Sequence, residues 1–125
     1  MAHVLLVDDE AVVRLLVAHQ LETAGHRITP AADLDSIDPR LLEEVDLVCC
    51  DLNLDGSSGL DLWDRVSAMQ NRPLFLLLTG TEQQADVADP RARLVDAYLT
   101  KPTSTGELIA TVDSLLESGV RQAVG

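Results

Sequence analysis

The chain has 125 residues, enough for one domain with a single core, and 46% of them are hydrophobic, which predicts a packed globular fold rather than disorder. Its formal net charge of −12 argues against direct nucleic-acid binding, because that binding draws its affinity from Lys and Arg side chains. No apolar run reaches the roughly 18–20 residues that span a bilayer, and the N-terminus lacks the basic start of a secretion signal, so no membrane insertion is expected.

The two cysteines, Cys49 and Cys50, are adjacent in an apolar segment. Neighbouring side chains of a strand point to opposite faces, so these thiols are poorly placed to bridge each other. We interpret both as small core residues and expect a reducing, cytoplasmic location.

Five short apolar runs predict strands. The first, third and fourth are continuously apolar, as in strands of a parallel sheet that is covered on both faces, whereas the second and fifth are more mixed. The runs are His3–Val7, His26–Thr29, Leu47–Cys50, Leu74–Leu78 and Val95–Leu99.

Helical spacing fills the segments between these runs. The first helix is predicted over Ala11–Ala24 and is followed by Gly25 as a stop signal. Its core-facing residues are predicted to be Val13, Leu16, Val17, Leu21 and Ala24.

The other helices have individual start or stop signals. Pro39 predicts the first turn of a short helix within residues 34–44, and Pro90 should end any helix within residues 82–91. A further helix is predicted over Gly59–Gln70, with Ser57 and Ser58 as candidate caps. The last is predicted over Ser104–Ser118, where Ser104 and Glu107 have the spacing of a capping box.

Five alternations of strand and helix predict one α/β sandwich with a parallel sheet and right-handed crossovers, spanning residues 1–125 as a single domain. Ligands of such sheets bind beyond the carboxyl ends of the strands, so the residues that follow each strand are the candidates for chemistry.

Polar side chains follow four of the five predicted strands. They are Asp8 and Asp9 after the first, Asp51 after the third, Thr79 after the fourth, and Lys101 after the fifth. Three carboxylates at one sheet edge remain ionised together only if a cation lies among them. Oxygen ligands without His or Cys favour Mg²⁺ and make zinc improbable.

This set of groups suits phosphoryl transfer. Asp51 would be the nucleophile, Lys101 would neutralise the phosphoryl oxygens, and Thr79 would donate a hydrogen bond, with an aspartyl phosphate as the product. Each residue alone has a simpler interpretation, since an acid after a strand is often a helix cap and a lone Lys is usually a solvated charge. The joint pattern at four strand ends is much more specific.

The same residues resemble those of the response-regulator receiver domains of two-component signalling. The matching segments are VLLVDDE, DLNL, LLLTG and YLTKP, and the similarity covers essentially the whole chain. The resemblance implies a flavodoxin-like (βα)₅ three-layer sandwich with strand order 2-1-3-4-5.

The resemblance also implies residue roles at the metal site. Asp51 is the phosphoacceptor. Asp9 and Asp51 bind Mg²⁺ directly, with Mn²⁺ as an alternative ion. Asn53 adds its backbone carbonyl, and Asp8 acts through a metal-bound water.

Further roles concern the response to phosphorylation. Lys101 pairs with the acceptor carboxylate and later with the phosphoryl group, while Thr79 and the aromatic switch residue Tyr98 move inward. The bond between Lys101 and Pro102 is expected to be cis. Asp55 and Gly80 depart from the family pattern, in which proline and alanine are common at these positions.

The implied function is that of a phosphorelay receiver and not of a turnover enzyme. Its donor is a histidine kinase or a histidine phosphotransfer protein, and its output is a protein target or effector domain at the face of the fourth helix, fifth strand and fifth helix. A phosphorylation-dependent homodimer is a further option. Two rivals stay open: a phosphatase or phosphotransferase acting on free substrates with Asp55 as the acid, and a receiver-like binding module that works without phosphate.

Overall fold

The computed structural model describes residues 2–54, 56–80, 89–101 and 105–118. The predicted α/β sandwich is confirmed, with a five-stranded parallel sheet at its centre. The strands of this sheet are β1 (His3–Val7), β2 (Arg27–Ala31), β3 (Leu47–Asp51), β4 (Leu74–Gly80) and β5 (Ala97–Lys101). Their spatial order is β2-β1-β3-β4-β5, which confirms the predicted order.

The strands β3 and β5 extend further at their carboxyl ends than predicted because of strand pairing. The first strand is as predicted, but β3 continues to Asp51 because that residue pairs with Leu78 of β4. In the same way β5 continues to Lys101, which pairs with Gly80. Polar residues thus belong to the sheet wherever a neighbouring strand offers a hydrogen-bonding partner.

Four α-helices cover the sheet within the described residues. They are α1 (Ala11–Thr23), α2 (Pro39–Glu44), α3 (Gly59–Ser67) and α4 (Thr105–Ser118). α4 corresponds to the fifth predicted helix. None of them is long and apolar enough to cross a membrane.

Local signals set most helix boundaries as predicted. Gly25 follows α1 with a φ of 103°, a left-handed conformation that glycine adopts without steric cost. Pro39 is in the first turn of α2, which Asp38 caps by accepting a hydrogen bond from the backbone N–H of Arg40 at 2.9 Å. This bond holds the pKa of Asp38 below its usual value.

A capping box opens α3. The Ser58 hydroxyl accepts a hydrogen bond from the N–H of Leu60 at 3.1 Å, and the Asp61 carboxylate accepts one from the N–H of Ser58 at 3.3 Å. Ser58 is therefore confirmed as a cap. The predicted box between Ser104 and Glu107 involves Ser104, which lies outside the described residues.

The core-facing residues of α1 were predicted only in part. Val17 and Leu21 pack in the core as predicted, together with Ala18. Leu16 was predicted to face the core but is 55% exposed, and Ala24 is exposed as well.

Pro90 begins a 3₁₀ turn, Pro90–Arg93, which Asp89 caps. Its role in ending a preceding helix stays a prediction. Residues 81–88, where the preceding helix was considered, lie outside the described part of the chain.

The sheet separates two apolar layers. Alternate residues of each strand enter opposite layers, so Cys50 packs with α2 and α3 while Cys49 packs with α1 and α4. Both cysteines are buried and neither is part of a disulfide, which confirms their interpretation as core residues. Trp63 of α3 packs edge-on against Phe75, with ring centroids 5.4 Å apart.

Polar side-chain pairs stabilise the end of the sheet at which the strands begin. We call this end the amino edge. Arg72 donates two hydrogen bonds to Asp96, at 2.8 and 3.1 Å, and its guanidinium lies 4.9 Å from the centre of the Trp63 ring. His26 contacts Asp113 of α4 at 2.9 Å. The opposite, carboxyl edge is where the candidate site lies.

Candidate functional site

Neighbouring parallel strands bring three carboxylates together at the carboxyl edge. Val7 of β1 pairs with Cys50 of β3, so the residues that follow, Asp8 and Asp51, come at the same level of the sheet. One carboxylate oxygen from each of Asp8, Asp9 and Asp51 lies within 4.8 Å of the others. We call these three residues the acidic cluster, and their predicted convergence is confirmed.

Burial differs among the three acids. Asp8 is 1% exposed and Asp51 is 6% exposed, whereas Asp9 is exposed to solvent. Asp8 and Asp51 therefore form the buried part of the cluster, and Asp9 lies on its solvent-exposed side. Like charges this close repel strongly where water is excluded, and a divalent cation offsets that repulsion. Three hard oxygen donors in a partly open site fit Mg²⁺.

Thr79 lies beside the cluster at the end of β4. It follows Leu78, the residue that pairs with Asp51, and it is 2% exposed. The sequence therefore predicted correctly that Thr79 lies at the carboxyl edge, at the end of β4. Its predicted hydrogen bond to a phosphoryl group stays a prediction.

Lys101 is in the expected strand, with its backbone opposite Gly80 at the end of β5. Its side chain lies outside the described part of the molecule, as do Pro102 and Asp55. The placement of the Lys101 ammonium and the cis peptide bond therefore stay predictions.

Tyr98 and Asn53 are both accessible. Tyr98 pairs with Leu77 in β5, and its side chain is 50% exposed. Asn53 is exposed and belongs to a two-residue hairpin in which Asn53–Leu54 pairs with Ser57–Ser58. These positions test neither the predicted inward movement of Tyr98 nor the predicted binding of a metal by the Asn53 carbonyl, so both stay predictions.

Local hydrogen bonds fix the chain at Asp8. Its N–H donates to the carbonyl of Ala31 at 3.1 Å, and one of its carboxylate oxygens accepts from the N–H of Glu10 at 2.9 Å. The Arg14 guanidinium donates to the Asp8 carbonyl at 2.7 Å. Asp8 is thus a turn-stabilising residue and a member of the cluster at once, so the two interpretations of an acid after a strand are not exclusive.

Sequence reasoning did not identify Arg14 as part of this region. The available signal was a single basic residue within the otherwise apolar start of α1. An arginine at that point can reach back one turn to the loop that carries the acids, as it does here.

The loop after Asp51 is closed by two short backbone hydrogen bonds. Leu52 donates to the carbonyl of Leu78, and Gly59 donates to the carbonyl of Leu52, each at 2.7 Å. Burial raises the pKa of the adjacent Cys50 thiol well above its usual value, and neighbouring groups including Asp51 and Asp8 add to this effect. Cys50 is therefore a core residue of the wall behind the acidic cluster, where burial favours the neutral thiol.

A family comparison agrees with this arrangement. The profile of the response regulator receiver domain matches residues 4–113. The chain belongs to this family. Receiver domains are signalling phosphoacceptors of phosphorelays and not turnover enzymes, which agrees with the function that the sequence predicts.

Two proteins that are similar to the chain in sequence are transcriptional regulators. The receiver is 32% identical over 114 residues to the transcriptional regulatory protein PhoP of Escherichia coli K12, covering 90% of this chain and 51% of PhoP. It is also 32% identical over 117 residues to the virulence transcriptional regulatory protein PhoP of Salmonella typhimurium LT2, covering 93% and 52%. The chain spans about half the length of these curated relatives.

Solved structures support the same fold. A response regulator receiver domain protein of Clostridium thermocellum superposes with a TM-score of 0.85 at 19% identity, covering 98% of this receiver and all of that chain. NtrX of Brucella abortus, solved with ADP, gives 0.84 at 28% identity, covering 99% and 30%. TrrA of Thermotoga maritima, solved with Mg²⁺ and BeF, gives 0.73 at 26% identity, covering 92% and 99%.

Proposed function

We propose that Asp51 accepts a phosphoryl group from a histidine kinase or a histidine phosphotransfer protein and thereby switches a protein-interaction surface of a receiver domain formed by residues 1–125. The observation that carries this proposal is the acidic cluster, in which Asp51 meets Asp8 and Asp9 within 4.8 Å at the carboxyl edge. An isolated turn-forming or capping aspartate would not need two other carboxylates beside it.

The donor set favours Mg²⁺ as the ion of the site, with Mn²⁺ as a substitute. Asp9 and Asp51 would bind it directly, Asp8 through a water molecule, and Asn53 through its backbone carbonyl. The ion supplies positive charge that offsets the charge of the phosphoryl oxygens. TrrA, a relative in structure, was solved with Mg²⁺ and BeF, which supports this assignment.

In the transfer step, a carboxylate oxygen of Asp51 forms a bond to phosphorus while the phosphorus–nitrogen bond to the donor imidazole breaks. The released imidazole takes a proton from solvent, so no acid from the receiver is required. Thr79 is buried one strand away from Asp51 and would donate a hydrogen bond to the new phosphoryl group, and Lys101 would pair with its charge.

The output follows from the added charge. A phosphorylated Asp51 has new acceptor oxygens that favour inward positions of Thr79 and Tyr98, which shifts an existing equilibrium at the face that includes β5 and α4. A protein target, an effector domain or a second copy of the receiver would bind the shifted face. The exposure of Tyr98 gives this residue room to move.

An apolar surface beside the cluster fits the phosphoryl donor. Val12, Leu15 and Leu16 are 78%, 69% and 55% exposed, and their spacing puts them on one side of α1. α1 begins two residues after Asp9, so its first turn lies next to the acidic cluster that a donor has to reach. We infer that a helical, apolar face of the kinase or phosphotransfer protein covers these three side chains during transfer.

The phosphoacceptor assignment is tested with a small donor. The receiver is incubated with acetyl phosphate and Mg²⁺, and intact-mass spectrometry measures the phosphorylated fraction. Wild type should gain one phosphoryl group, and Asp51→Asn should gain none, because an amide oxygen is a poor nucleophile. Asp35→Asn, which changes an exposed acid before α2, should behave as wild type.

The rival functions give different outcomes. Mg²⁺-independent labelling, or labelling that persists in Asp51→Asn, would contradict the proposal. Continuous turnover of a generic phosphoester would favour a phosphatase or phosphotransferase. If the chain binds no Mg²⁺ and gains no phosphoryl group, it is a phosphate-independent binding module.

The donor surface needs a protein donor for its test. A kinase that phosphorylates the receiver is first identified by profiling kinases of the source organism. Leu15→Ser should then slow transfer from that kinase while leaving labelling by acetyl phosphate unchanged. Leu94→Ser, at another exposed leucine, is the matched control, and an equal loss of transfer in both variants would contradict the α1 assignment.

A further inference from the structure

Gly59 makes a very close contact with the backbone of the proposed phosphoacceptor. A β-carbon at this position would lie 2.3 Å from the carbonyl oxygen of Asp51 and 3.0 Å from the sulfur of Cys50. Real β-carbons do not approach a carbonyl oxygen that closely, so any other residue would force a displacement. Among the four glycines whose surroundings the structure describes, only Gly59 has such a contact, because a β-carbon at Gly25, Gly56 or Gly106 would have no neighbour within 4 Å.

The helix side of this contact is firmly held. Gly59 is the first residue of α3, and its N–H donates to the carbonyl of Leu52 at 2.7 Å. The Ser58 capping box fixes the same turn. α3 is anchored in the core by four buried side chains, namely Leu60, Leu62, Trp63 and Val66.

The other side of the contact is the last residue of β3. Asp51 is where pairing with β4 ends, and the loop that leads from it to α3 carries Asn53. The peptide between Asp51 and Leu52 donates a hydrogen bond from the Leu52 N–H to the Leu78 carbonyl at 2.7 Å, whereas α3 is held by four buried side chains. The strand end therefore moves more easily than the helix. A side chain at position 59 would displace the Asp51 peptide, and with it the carboxylate, relative to Asp8 and Asp9.

We propose that Gly59 is a positioning residue, which allows α3 to rest on the Asp51 peptide and so sets the distance between Asp51 and the Asp8–Asp9 pair. This inference rests on the proposed function of the acidic cluster. The role is distinct from that of a general structural glycine because its effect should appear in metal affinity and phosphorylation, beyond any change in folding stability.

The test compares Gly59→Ala with wild type. Isothermal titration calorimetry with MgCl₂ gives the metal affinity, and labelling by acetyl phosphate gives the phosphorylation rate. We expect the Mg²⁺ dissociation constant to rise about tenfold or more, as for other changes that misplace a metal ligand, with a parallel fall in the labelling rate. If the variant is partly unfolded, trimethylamine N-oxide favours the compact state and the same titration is made in its presence for both proteins.

Two control variants separate positioning from stability. Gly106→Ala makes the same chemical change in α4, where a β-carbon meets nothing within 4 Å, and should leave the Mg²⁺ affinity as in wild type. Ser58→Ala removes the cap of α3 without adding an atom near Asp51, so it should lower the melting temperature but not the affinity.

A double variant locates the contact that matters. Cys50→Ala in the Gly59→Ala background removes the sulfur at 3.0 Å but leaves the carbonyl oxygen at 2.3 Å. We therefore expect little recovery of Mg²⁺ affinity. Full recovery would assign the effect to Cys50 packing and overturn the role of the Asp51 peptide.

The results also distinguish the two proposals. If wild type binds no Mg²⁺ and takes no phosphoryl group, the proposed function itself is wrong. If wild type does both and Gly59→Ala matches it, or if Ser58→Ala loses as much affinity as Gly59→Ala, the positioning role is wrong while the function stands.

Discussion

The two edges of the sheet use aspartate in opposite ways. At the amino edge, Asp96 accepts two hydrogen bonds from Arg72 and a third from the N–H of Phe75, all between 2.8 and 3.1 Å. At the carboxyl edge, Asp8, Asp9 and Asp51 converge on one another within 4.8 Å. An acid at the first edge stabilises the fold, whereas the acids at the second raise its electrostatic energy until a cation binds.

This difference shows how one residue type can hold a fold together and also make it responsive. Hydrogen bonding to Asp96 raises the pKa of the Arg72 guanidinium above its usual value. The acidic cluster instead keeps local repulsion that ion binding and phosphorylation can change. Between the edges, the three central strands have only buried apolar residues over residues 4–7, 47–50 and 74–78, so the acidic cluster lies at the end of a well-packed core.

The largest expected effect concerns ion binding at the carboxyl edge. At an Mg²⁺ concentration of one hundred times its dissociation constant, the free energy of unfolding should rise by about 2.7 kcal/mol. Urea denaturation with and without MgCl₂ measures this change. Asp9→Asn should lose most of this Mg²⁺-dependent stabilisation, while Asp96→Asn should retain it. An equal loss in both variants would show that Mg²⁺ binding does not depend on the carboxyl edge in particular.

The next effect concerns the amino edge. Asp96→Ala should lower the free energy of unfolding by about 2 kcal/mol, because it leaves the buried N–H of Phe75 without its acceptor and removes both hydrogen bonds from Arg72. Urea denaturation in the absence of metal gives this value. Asp35→Ala is the exposed control, and a comparable loss there would mean that any acid contributes equally.

A smaller effect of opposite sign is expected at the carboxyl edge. Without Mg²⁺, Asp9→Asn should raise the free energy of unfolding by about 0.5 kcal/mol, since it removes one of three like charges at partly solvated positions. The same urea experiment in EDTA measures it. A loss of stability in this variant would show that the cluster is not repulsive.

The smallest effect concerns acid titration of a third group of acids. Asp61, Asp64 and Asp89 surround Arg91, and hydrogen bonds from Arg91 hold the pKa of Asp89 below its usual value. A carboxyl group whose pKa is lower in the folded state stabilises the fold at pH values above its unfolded pKa of about 3.9. This stabilisation is lost as the pH falls through the folded-state pKa. Urea midpoints from pH 5 to pH 3 should therefore fall less steeply in Asp89→Asn than in wild type. Identical slopes would show that this pair contributes nothing.

Much of the fold could be predicted because it depends on local patterns. Continuous apolar runs identified β1, β3 and β4, since a strand buried on both faces has no polar side. Ser58, Pro39 and Gly25 marked helix boundaries because caps and turns depend on one residue and its neighbours. Val17 and Leu21 of α1 were predicted correctly as core residues. Leu16 was placed on the wrong side of the helix because it is as apolar as the residues that do face the core.

The acidic cluster was predictable for a related reason. Once the strands are parallel, the residue after each strand has only one edge to occupy, so Asp8, Asp9 and Asp51 had to come close. Arg14 and Gly59 were not predicted as parts of the site. Their roles depend on how a helix lies over a loop, which residue type alone does not indicate.

Local sequence patterns were enough to predict the parallel sheet, most helix ends, and the strand ends at which the functional residues lie. The distances among the three carboxylates, the pairing of Arg72 with Asp96, and the contact of Gly59 with the Asp51 peptide became known from the folded structure alone. The reason is physical: hydrogen-bonding and burial patterns repeat over a few residues and are visible locally. Distances between elements are set by side-chain volumes packed across the sheet, and those depend on the whole core at once.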